Sequence, residues 1–122
     1  MTTTMPSKNV CNRGDVVLVL FPHSDLKTAK TRPAVVVQAD TVESGMPQVI
    51  VAMISGRMFR AGHPSRVLIE KASMQWRRSG LLGDSVVMAD NLATVALTAI
   101  DRVIGSVGMP EIDGALRHTL GL

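Results

Sequence analysis

Hydrophobic residues along the chain fall into short runs separated by segments rich in glycine, proline and polar residues. The runs are dominated by valine and isoleucine, and they occupy residues 15–20, 34–38, 48–54, 66–69, 85–89 and 100–107. β-Branched residues in runs this short, bounded by turn-forming residues, predict β-strands. Because no helical pattern lies between most of them, the spacing favours a small β-barrel or sandwich over a parallel α/β sheet.

The pattern changes near the C-terminus, where apolar residues recur at helical spacing. Residues 110–120 place Ile112, Ala115, Leu116 and Leu120 on one face of a helix. A proline suits the first turn of this helix and a glycine follows its last residue, as expected at helix ends. The sequence therefore predicts a mainly β domain closed by one C-terminal α-helix.

The composition is typical of one domain without disulfide bonds. The 122 residues predict a flexible N-terminal tail over 1–12 and a single folded unit over 13–122. One cysteine allows no internal disulfide and no cysteine–histidine cluster has zinc-ligand spacing, so a reducing, cytoplasmic setting is expected. No apolar stretch reaches the roughly 18 residues of a membrane helix, and the N-terminus lacks the apolar core of a secretory signal.

Positive charge is concentrated in loops. The net charge of +3 permits a polyanionic partner without requiring one. The basic residues form three groups, namely Lys27, Lys30 and Arg32, then Arg57, Arg60 and Arg66, and finally Arg77 and Arg78. Such groups indicate either a binding patch or ordinary solvated surface. Only 2% of the residues are aromatic, which argues against broad stacking platforms for single-stranded nucleic acid.

Arg32 stands next to Pro33, directly before the strand predicted over 34–38. A guanidinium at the mouth of a buried strand requires an anion, because desolvating an unpaired charge is costly. Asp25 or Asp90 could supply that anion as a structural partner, or a ligand could supply it from outside the protein.

Common catalytic templates are absent from the sequence. There is no glycine-rich phosphate loop, no nucleophile elbow and no pair of metal-binding histidines at helical spacing. The remaining arginine, lysine, histidine, aspartate and serine residues suit metal-free RNA cleavage, in which the 2′-hydroxyl of the RNA is the nucleophile and cations stabilise the phosphorane. From residue chemistry alone this is one interpretation among several.

Several segments carry a resemblance to a known family. They are RGDVVLVLF at 13–21, TRPAVVVQ at 31–38, GLLGDSVVMADNLATV at 80–95 and RVIGSVG at 102–108, followed by a helix ending in LGL. In this order they are similar to the MazF/PemK toxins of type II toxin–antitoxin systems. The most specific part is Arg-Pro-Ala leading into a valine strand, combined with the later Asp-Ser-Val-Val-x-x-Asp.

The resemblance implies a fold, an activity and partners. The implied fold is a small SH3-like (CcdB/PemK-type) β-barrel with a C-terminal α-helix, working as a homodimer. The implied activity is that of an mRNA interferase, a metal-independent endoribonuclease that cuts single-stranded RNA at a short sequence and leaves 2′,3′-cyclic phosphate and 5′-hydroxyl ends. No cofactor is implied. The implied inhibitor is a cognate MazE-like antitoxin with an acidic, partly disordered segment.

Matching positions carry the functional residues of the family over to this chain. Arg32 corresponds to a catalytic arginine that stabilises the phosphorane and protonates the leaving group, and Ser55 corresponds to a threonine that contacts the scissile phosphate. His23 and Asp90 are further catalytic candidates, although an aspartate such as Asp90 also opens turns by bonding local amides. The RNA-binding candidates are Lys27, Thr28, Lys30, Arg57, Arg60 and Arg66. The last three have the alternative role of keeping a loop soluble.

Two departures from the family pattern bear on the mechanism. Ala93 replaces an arginine found in many relatives, and Met88 replaces an arginine of the PemK-like branch. Catalysis is therefore expected to depend mainly on Arg32 and Ser55. The lone tryptophan, Trp76, is either a core or dimer anchor or a surface for a base or an antitoxin side chain.

Two other functions remain as alternatives. A gyrase poison of the CcdB type shares the implied fold, but those toxins act through a C-terminal tail with a tryptophan near the end, and this chain ends in RHTLGL. A non-catalytic barrel that binds RNA or a peptide is the second alternative.

Overall fold

One antiparallel sheet organises the chain. The computed structural model describes residues 11–22, 25 and 27–122. The strands are β1 (Asp15–Pro22), β2 (Ala29–Val36), β3 (Gln48–Ser55), β4 (Arg66–Ile69), β5 (Ser85–Ala96) and β6 (Ile100–Ser106). The helices are α1 (Met74–Ser79) and α2 (Pro110–Leu120), with 3-10 turns at Met58–Arg60 and Leu97–Ala99.

The strands lie in the order β4-β5-β3-β2-β1-β6. All five pairings are antiparallel, as expected for short strands joined by tight connections. Within the described residues β4 and β6 do not pair with each other, so hydrogen bonds do not close the sheet into a complete barrel. The predicted mainly β fold with a C-terminal helix is confirmed, in a loosely barrel-like form.

The central strands are buried on both faces of the sheet. The helix-side core contains Val16, Val35, Ala52, Ile54, Val67, Ile69, Leu81, Val87, Ala89, Val107, Ile112, Ala115 and Leu116. The second core contains Cys11, Val17, Val19, Ala34, Val36, Val49, Val51, Met53 and Val95. Successive residues of β1, β2 and β3 enter opposite cores, as the alternation of side chains along a strand requires. The strand after Pro33 is therefore buried on both sides, as its valine run predicts.

Helix α2 covers the helix-side core through its predicted apolar face. Ile112 is fully buried there. Arg13 fixes the helix to the start of β1, since its Nη2 lies 2.6 Å from Oδ1 of Asp113 and its Nε donates to the carbonyl oxygen of Val37 at 2.9 Å. The arginine of the Arg-Gly-Asp segment therefore has a structural contact between sheet and helix.

The structure differs from the predicted elements at three places. Helix α1 was not predicted, because six residues show too little helical periodicity. Its ends are marked by capping residues: the Ser73 side chain accepts a hydrogen bond from the backbone N–H of Trp76, and Gly80 follows the helix with φ of 76°. Strand β2 begins five residues before position 34, at Ala29, because its polar first half pairs with β1. Strand β5 continues through a polar stretch to Ala96.

Strand β6 approaches α1 closely at two glycines. A Cβ atom on Gly105 would collide with the backbone of Arg78 and Ser79, and one on Gly80 would collide with the carbonyl of Ile104. The close contact between β6 and the end of α1 therefore requires glycine at both positions.

The N-terminal segment is only partly covered by the structure. Residues 1–10 of the predicted tail lie outside the described residues, whereas Cys11 is buried in the second core and Asn12 is exposed. Burial raises the pKa of the Cys11 thiol, with the charges of Asp15 and Asp40 adding to the effect. In the described part of the chain, no helix is long and apolar enough to cross a membrane.

Candidate functional site

A basic cleft opens at one end of β2 and β3, on the side of the second core. Its volume is about 760 Å³. The lining comprises Phe21, Lys30, Thr31, Arg32, Pro33, Met53, Ile54, Ser55, Gly56, Arg57, Arg60, Met88, Asn91 and Ala93. Four of these residues are cationic and none is a carboxylate, so the cleft suits an anionic ligand.

Arg32 and Ser55 line the same cleft from neighbouring strands. The last residue pair between β2 and β3 on this side is Ala34 with Met53, so each of the two site residues lies two positions outside that pair on its own strand. Arg32 has the same parity in β2 as Ala34, so its side chain leaves the sheet on the face of the second core. The second core ends at this point and the cleft begins.

Neither candidate carboxylate pairs with Arg32, which is exposed at the cleft. Oδ1 of Asp25 instead accepts hydrogen bonds from the backbone N–H of Lys27 at 2.9 Å and of Thr28 at 3.2 Å. These bonds, the one from Lys27 first, lower the pKa of Asp25. Asp25 therefore shapes the turn before β2, and Lys27 and Thr28 belong to that turn rather than to the lining.

Asp90 is bound by Arg66. Nη2 of Arg66 lies 2.8 Å from Oδ2 of Asp90, and its Nε lies 3.4 Å from Oδ1. The hydrogen bond from Arg66 is the main cause that lowers the pKa of this carboxyl below its ordinary value. Because neither residue lines the cleft, the structure brings this predicted catalytic residue and this predicted RNA-binding residue to each other rather than to Arg32.

A bulge in β5 contains Asp90 and Asn91. Ala52 pairs with Leu92 while its neighbour Met53 pairs with Met88, so residues 89–91 have no partner on β3. Such a bulge redirects side chains locally. Asn91 enters the cleft lining, a site residue that the sequence reasoning missed, although the Asp-Asn dipeptide in a valine-rich strand is a signal for an irregularity.

The hydroxyl of Ser55 has one of its hydrogen-bonding functions occupied. Its Oγ accepts from the backbone N–H of Arg57 at 3.1 Å. A hydroxyl that accepts in this way keeps its own proton for donation. Ser55 is therefore oriented by the following loop and suited to donate to an anion in the cleft.

The guanidinium of Arg60 contacts the side chain of Met88 at the cleft. Its Nη1 lies 3.5 Å from Sδ of Met88. The guanidinium carbon lies 5.6 Å from the ring centroid of Phe59, and the carbonyl oxygen of Arg60 accepts from Nη1 of Arg66 at 3.3 Å. The sequence predicted a role for Arg60 from its charge alone. Its contact with Met88 joins residues far apart in the chain, so the sequence could not show that contact.

The predicted site residues therefore divide into groups. Arg32, Ser55, Lys30, Arg57 and Arg60 share the cleft, whereas Asp90 and Arg66 form the adjacent ion pair. Lys27 and Thr28 lie in the preceding turn, and His23 lies outside the described residues. Trp76 packs against the helix-side core with its indole Nε1 buried, and within the described chain that nitrogen has no hydrogen-bond partner.

A second cavity lies at a different place in the fold. A smaller cavity of about 300 Å³ lies between Cys11 and the loop before β3, and Glu43 is its only charged lining residue. Among residues 11–22, 25 and 27–122, no three histidine, cysteine or acidic side chains come together as metal ligands.

Solved structures of other proteins share this fold. An endoribonuclease in complex with its cognate antitoxin, from a mycobacterial species, has a TM-score of 0.70 and 22% identity, covering 92% of this chain and 96% of that one. The Mycobacterium tuberculosis toxin MazF-mt6 has a TM-score of 0.67 and 22% identity, covering 88% and 97%. The MazE–MazF structure from Deinococcus radiodurans has a TM-score of 0.70 and 18% identity, covering 93% and 97%.

The family assignment comes from the sequence itself. Residues 12–119 match the family described as the PemK-like, MazF-like toxin of type II toxin–antitoxin system. The match spans most of the chain and includes every strand, helix α1, all of helix α2 except its last residue, and the whole cleft. The chain therefore belongs to the PemK-like, MazF-like toxins of type II toxin–antitoxin systems.

Proposed function

We propose that this protein is an endoribonuclease toxin that cuts single-stranded RNA in the basic cleft. One observation carries the proposal: Arg32 and Ser55 share a cleft lined by four cations and no carboxylate. A phosphodiester supplies the missing anion, and an arginine fork can bind two of its oxygens.

The proposed reaction is a transesterification within the RNA. The 2′-oxygen attacks the adjacent phosphorus while the bond from phosphorus to the 5′-oxygen breaks. The proton of the 2′-hydroxyl passes to a base, and the departing 5′-oxygen gains a proton. The products are a 2′,3′-cyclic phosphate and a 5′-hydroxyl, with no change in oxidation state.

The four cations of the cleft and Ser55 have roles in this proposed reaction. Arg32 binds the phosphate and stabilises the charge that develops on the phosphorane, with proton donation to the leaving oxygen as its second role. Ser55 donates its O–H to a phosphate oxygen, while Arg60, Arg57 and Lys30 hold the flanking phosphates. Because the cleft lining offers no carboxylate to ligate a divalent cation, these side chains replace the charge that a metal would supply.

Asp90 and His23 are the two candidates for the base. The ion pair with Arg66 favours the ionised carboxylate but also makes it a weaker base. In our proposal Asp90 therefore fixes Arg66 and the bulge that presents Asn91. His23 stays a prediction for the base, outside the described residues.

The proposal extends to partners and setting. Relatives with this fold were solved with antitoxins, so we propose a cognate antitoxin whose acidic segment occupies the same cationic cleft. We also propose a homodimer acting in the cytoplasm. An open reading frame for a small acidic protein immediately upstream of the gene would support this arrangement.

The test is to incubate purified protein with a long, mixed-sequence RNA in EDTA and to sequence the new ends. The proposal predicts cuts at one short sequence, with 2′,3′-cyclic phosphate and 5′-hydroxyl termini. A requirement for a divalent metal would contradict the chemistry. RNA binding without any new ends would indicate the non-catalytic alternative instead.

A further inference from the structure

The two phenylalanines of this chain lie outside the deep core. The sequence contains only two, and valine, isoleucine, leucine and methionine fill the buried positions. Phe21 lines the cleft, and Phe59 is 78% exposed. The exposed ring of Phe59 is therefore accessible to a ligand, and its contacts decide which kind of ligand it suits.

Phe59 sits at the rim of the cleft on a defined turn. The 3-10 turn Met58–Arg60 is held by a hydrogen bond from the backbone N–H of Arg60 to the carbonyl oxygen of Arg57 at 3.0 Å. Arg57 and Arg60, on either side of the ring in sequence, both line the cleft. The ring therefore lies beside the Arg60 guanidinium, on a turn that directly follows Arg57.

Contacts of Arg60 fix the ring relative to the cleft. The guanidinium carbon lies 5.6 Å from the ring centroid of Phe59, and the same guanidinium contacts the sulfur of Met88. A guanidinium near an aromatic ring is attracted by the ring's quadrupole, which restrains both groups. Because Met88 belongs to β5, this chain of contacts connects the exposed ring to the sheet.

We propose that Phe59 is a stacking platform for one unpaired base of the RNA that occupies the cleft. This inference rests on the proposed function and names a residue that holds the substrate. A nucleotide satisfies both features at once, since its flat base covers the ring while its phosphates pair with Arg57 and Arg60. An acidic antitoxin segment also brings anions to these cations, but its apolar side chains pack on leucine as well as on phenylalanine, so the Phe59→Leu variant distinguishes the two occupants.

The sparse aromatic composition is compatible with this role. A single ring supports one base, whereas a broad platform would need several. Stacking on one ring contributes about 5- to 150-fold in affinity. A change in RNA affinity of this size can be measured for a single substitution. Stacking depends on a π-face rather than on apolar surface alone.

The experiment uses an RNA oligonucleotide of the mapped cut sequence with one 2′-deoxyribose at the attacking nucleotide, so that it binds without being cut. Fluorescence anisotropy gives Kd for the wild type and for Phe59→Ala, Phe59→Leu and Phe59→Trp. The matched control is Leu68→Ala, which removes an apolar side chain of 43% exposure on β4, outside the cleft.

Stacking predicts that Phe59→Ala and Phe59→Leu both weaken binding by about 5- to 150-fold. Phe59→Trp and Leu68→Ala are expected to bind within about threefold of the wild type, because the first keeps a π-face and the second does not touch the cleft. Replacing one base at a time with an abasic site should weaken wild-type binding at one position, and that penalty should disappear in Phe59→Ala.

Other outcomes overturn the inference. If Phe59→Leu binds RNA like the wild type, the ring provides no stacking. If Phe59→Ala binds RNA normally but loses a cognate antitoxin, the rim is a protein-docking surface. If the wild type cuts RNA while every Phe59 variant binds RNA normally, the stacking role is wrong and the proposed function stands. If the wild type neither binds nor cuts RNA, the proposed function itself is wrong.

Discussion

At the scale of single residues, Arg32 pairs with neither of the two carboxylates that the sequence offered as structural partners. Asp25 accepts the amides of its own turn and Asp90 is held by Arg66. A structural ion pair between Arg32 and either carboxylate would have cancelled one of the four positive charges of the cleft. The local ion pair and turn thus help to keep the cleft cationic.

Ser55→Ala tests the hydroxyl beside Arg32. Loss of a hydrogen bond to a charged phosphate should lower kcat by about 10- to 150-fold with little effect on folding. Single-turnover cleavage of the mapped RNA measures the loss, and Ser106→Ala, an exposed serine on β6, is the matched control. A larger loss in His23→Ala than in Ser55→Ala would instead favour a PemK-like acid–base scheme.

Asp90→Asn tests the ion pair with Arg66 through its pH dependence. Because folding lowers the pKa of Asp90, the pair stabilises the folded state above the unfolded pKa of about 3.9, and this stability is lost as the pH falls through the folded pKa. Asp90→Asn should therefore be less stable by about 0.5–1 kcal/mol at neutral pH. Urea unfolding between pH 3 and 7 should show the gap closing below about pH 4, and a gap that persists in acid would count against the pair.

At the scale of elements, the contact between β6 and α1 depends on glycine. Gly105→Ala should lower the free energy of unfolding by about 1–3 kcal/mol or more, because its Cβ meets backbone atoms that cannot rotate away. Gly83→Ala is the control, since nothing lies within 4 Å of the added atom. Thermal unfolding compares the stability of the two variants directly. Equal melting temperatures would contradict a close backbone contact between β6 and α1.

Six strands and the last helix could be predicted because their apolar patterns are local. Strand β2 illustrates the limit, since its valines identify the buried half while residues 29–33 become a strand only through pairing with β1. The bulge of β5 likewise depends on register with β3, which no local pattern records. Helix α1 is too short for periodicity and is fixed by its caps and by packing on β6.

The candidate site could be predicted only where local motifs identify its residues. Arg32 and Ser55 are identified by motif positions, and the two neighbouring strands then place them in one cleft. The contact of Arg60 with Met88 and the entry of Asn91 into the cleft depend on loop and bulge geometry, so the sequence could not show them. The long-range partner of Asp90 was hidden for the same reason, since Arg66 lies on a different strand.

At the scale of the whole molecule, we expect two copies of the chain to associate. Light scattering after size-exclusion chromatography should give twice the 13.0 kDa mass of one chain. A mass that stays at one chain across the micromolar range would contradict the proposed homodimer. The Arg32→Ala variant should have the same mass as the wild type, because Arg32 is exposed in the cleft.

The central claim is that the guanidinium of Arg32 acts on a scissile RNA phosphate. The most direct test is the single-turnover rate of RNA cleavage by Arg32→Ala, compared with Arg77→Ala, which removes an equal charge from an exposed position on α1 outside the cleft. We predict a loss of at least about 100-fold for Arg32→Ala with unchanged circular dichroism, and a rate within about threefold of the wild type for Arg77→Ala. Full cleavage by a folded Arg32→Ala variant would contradict the account.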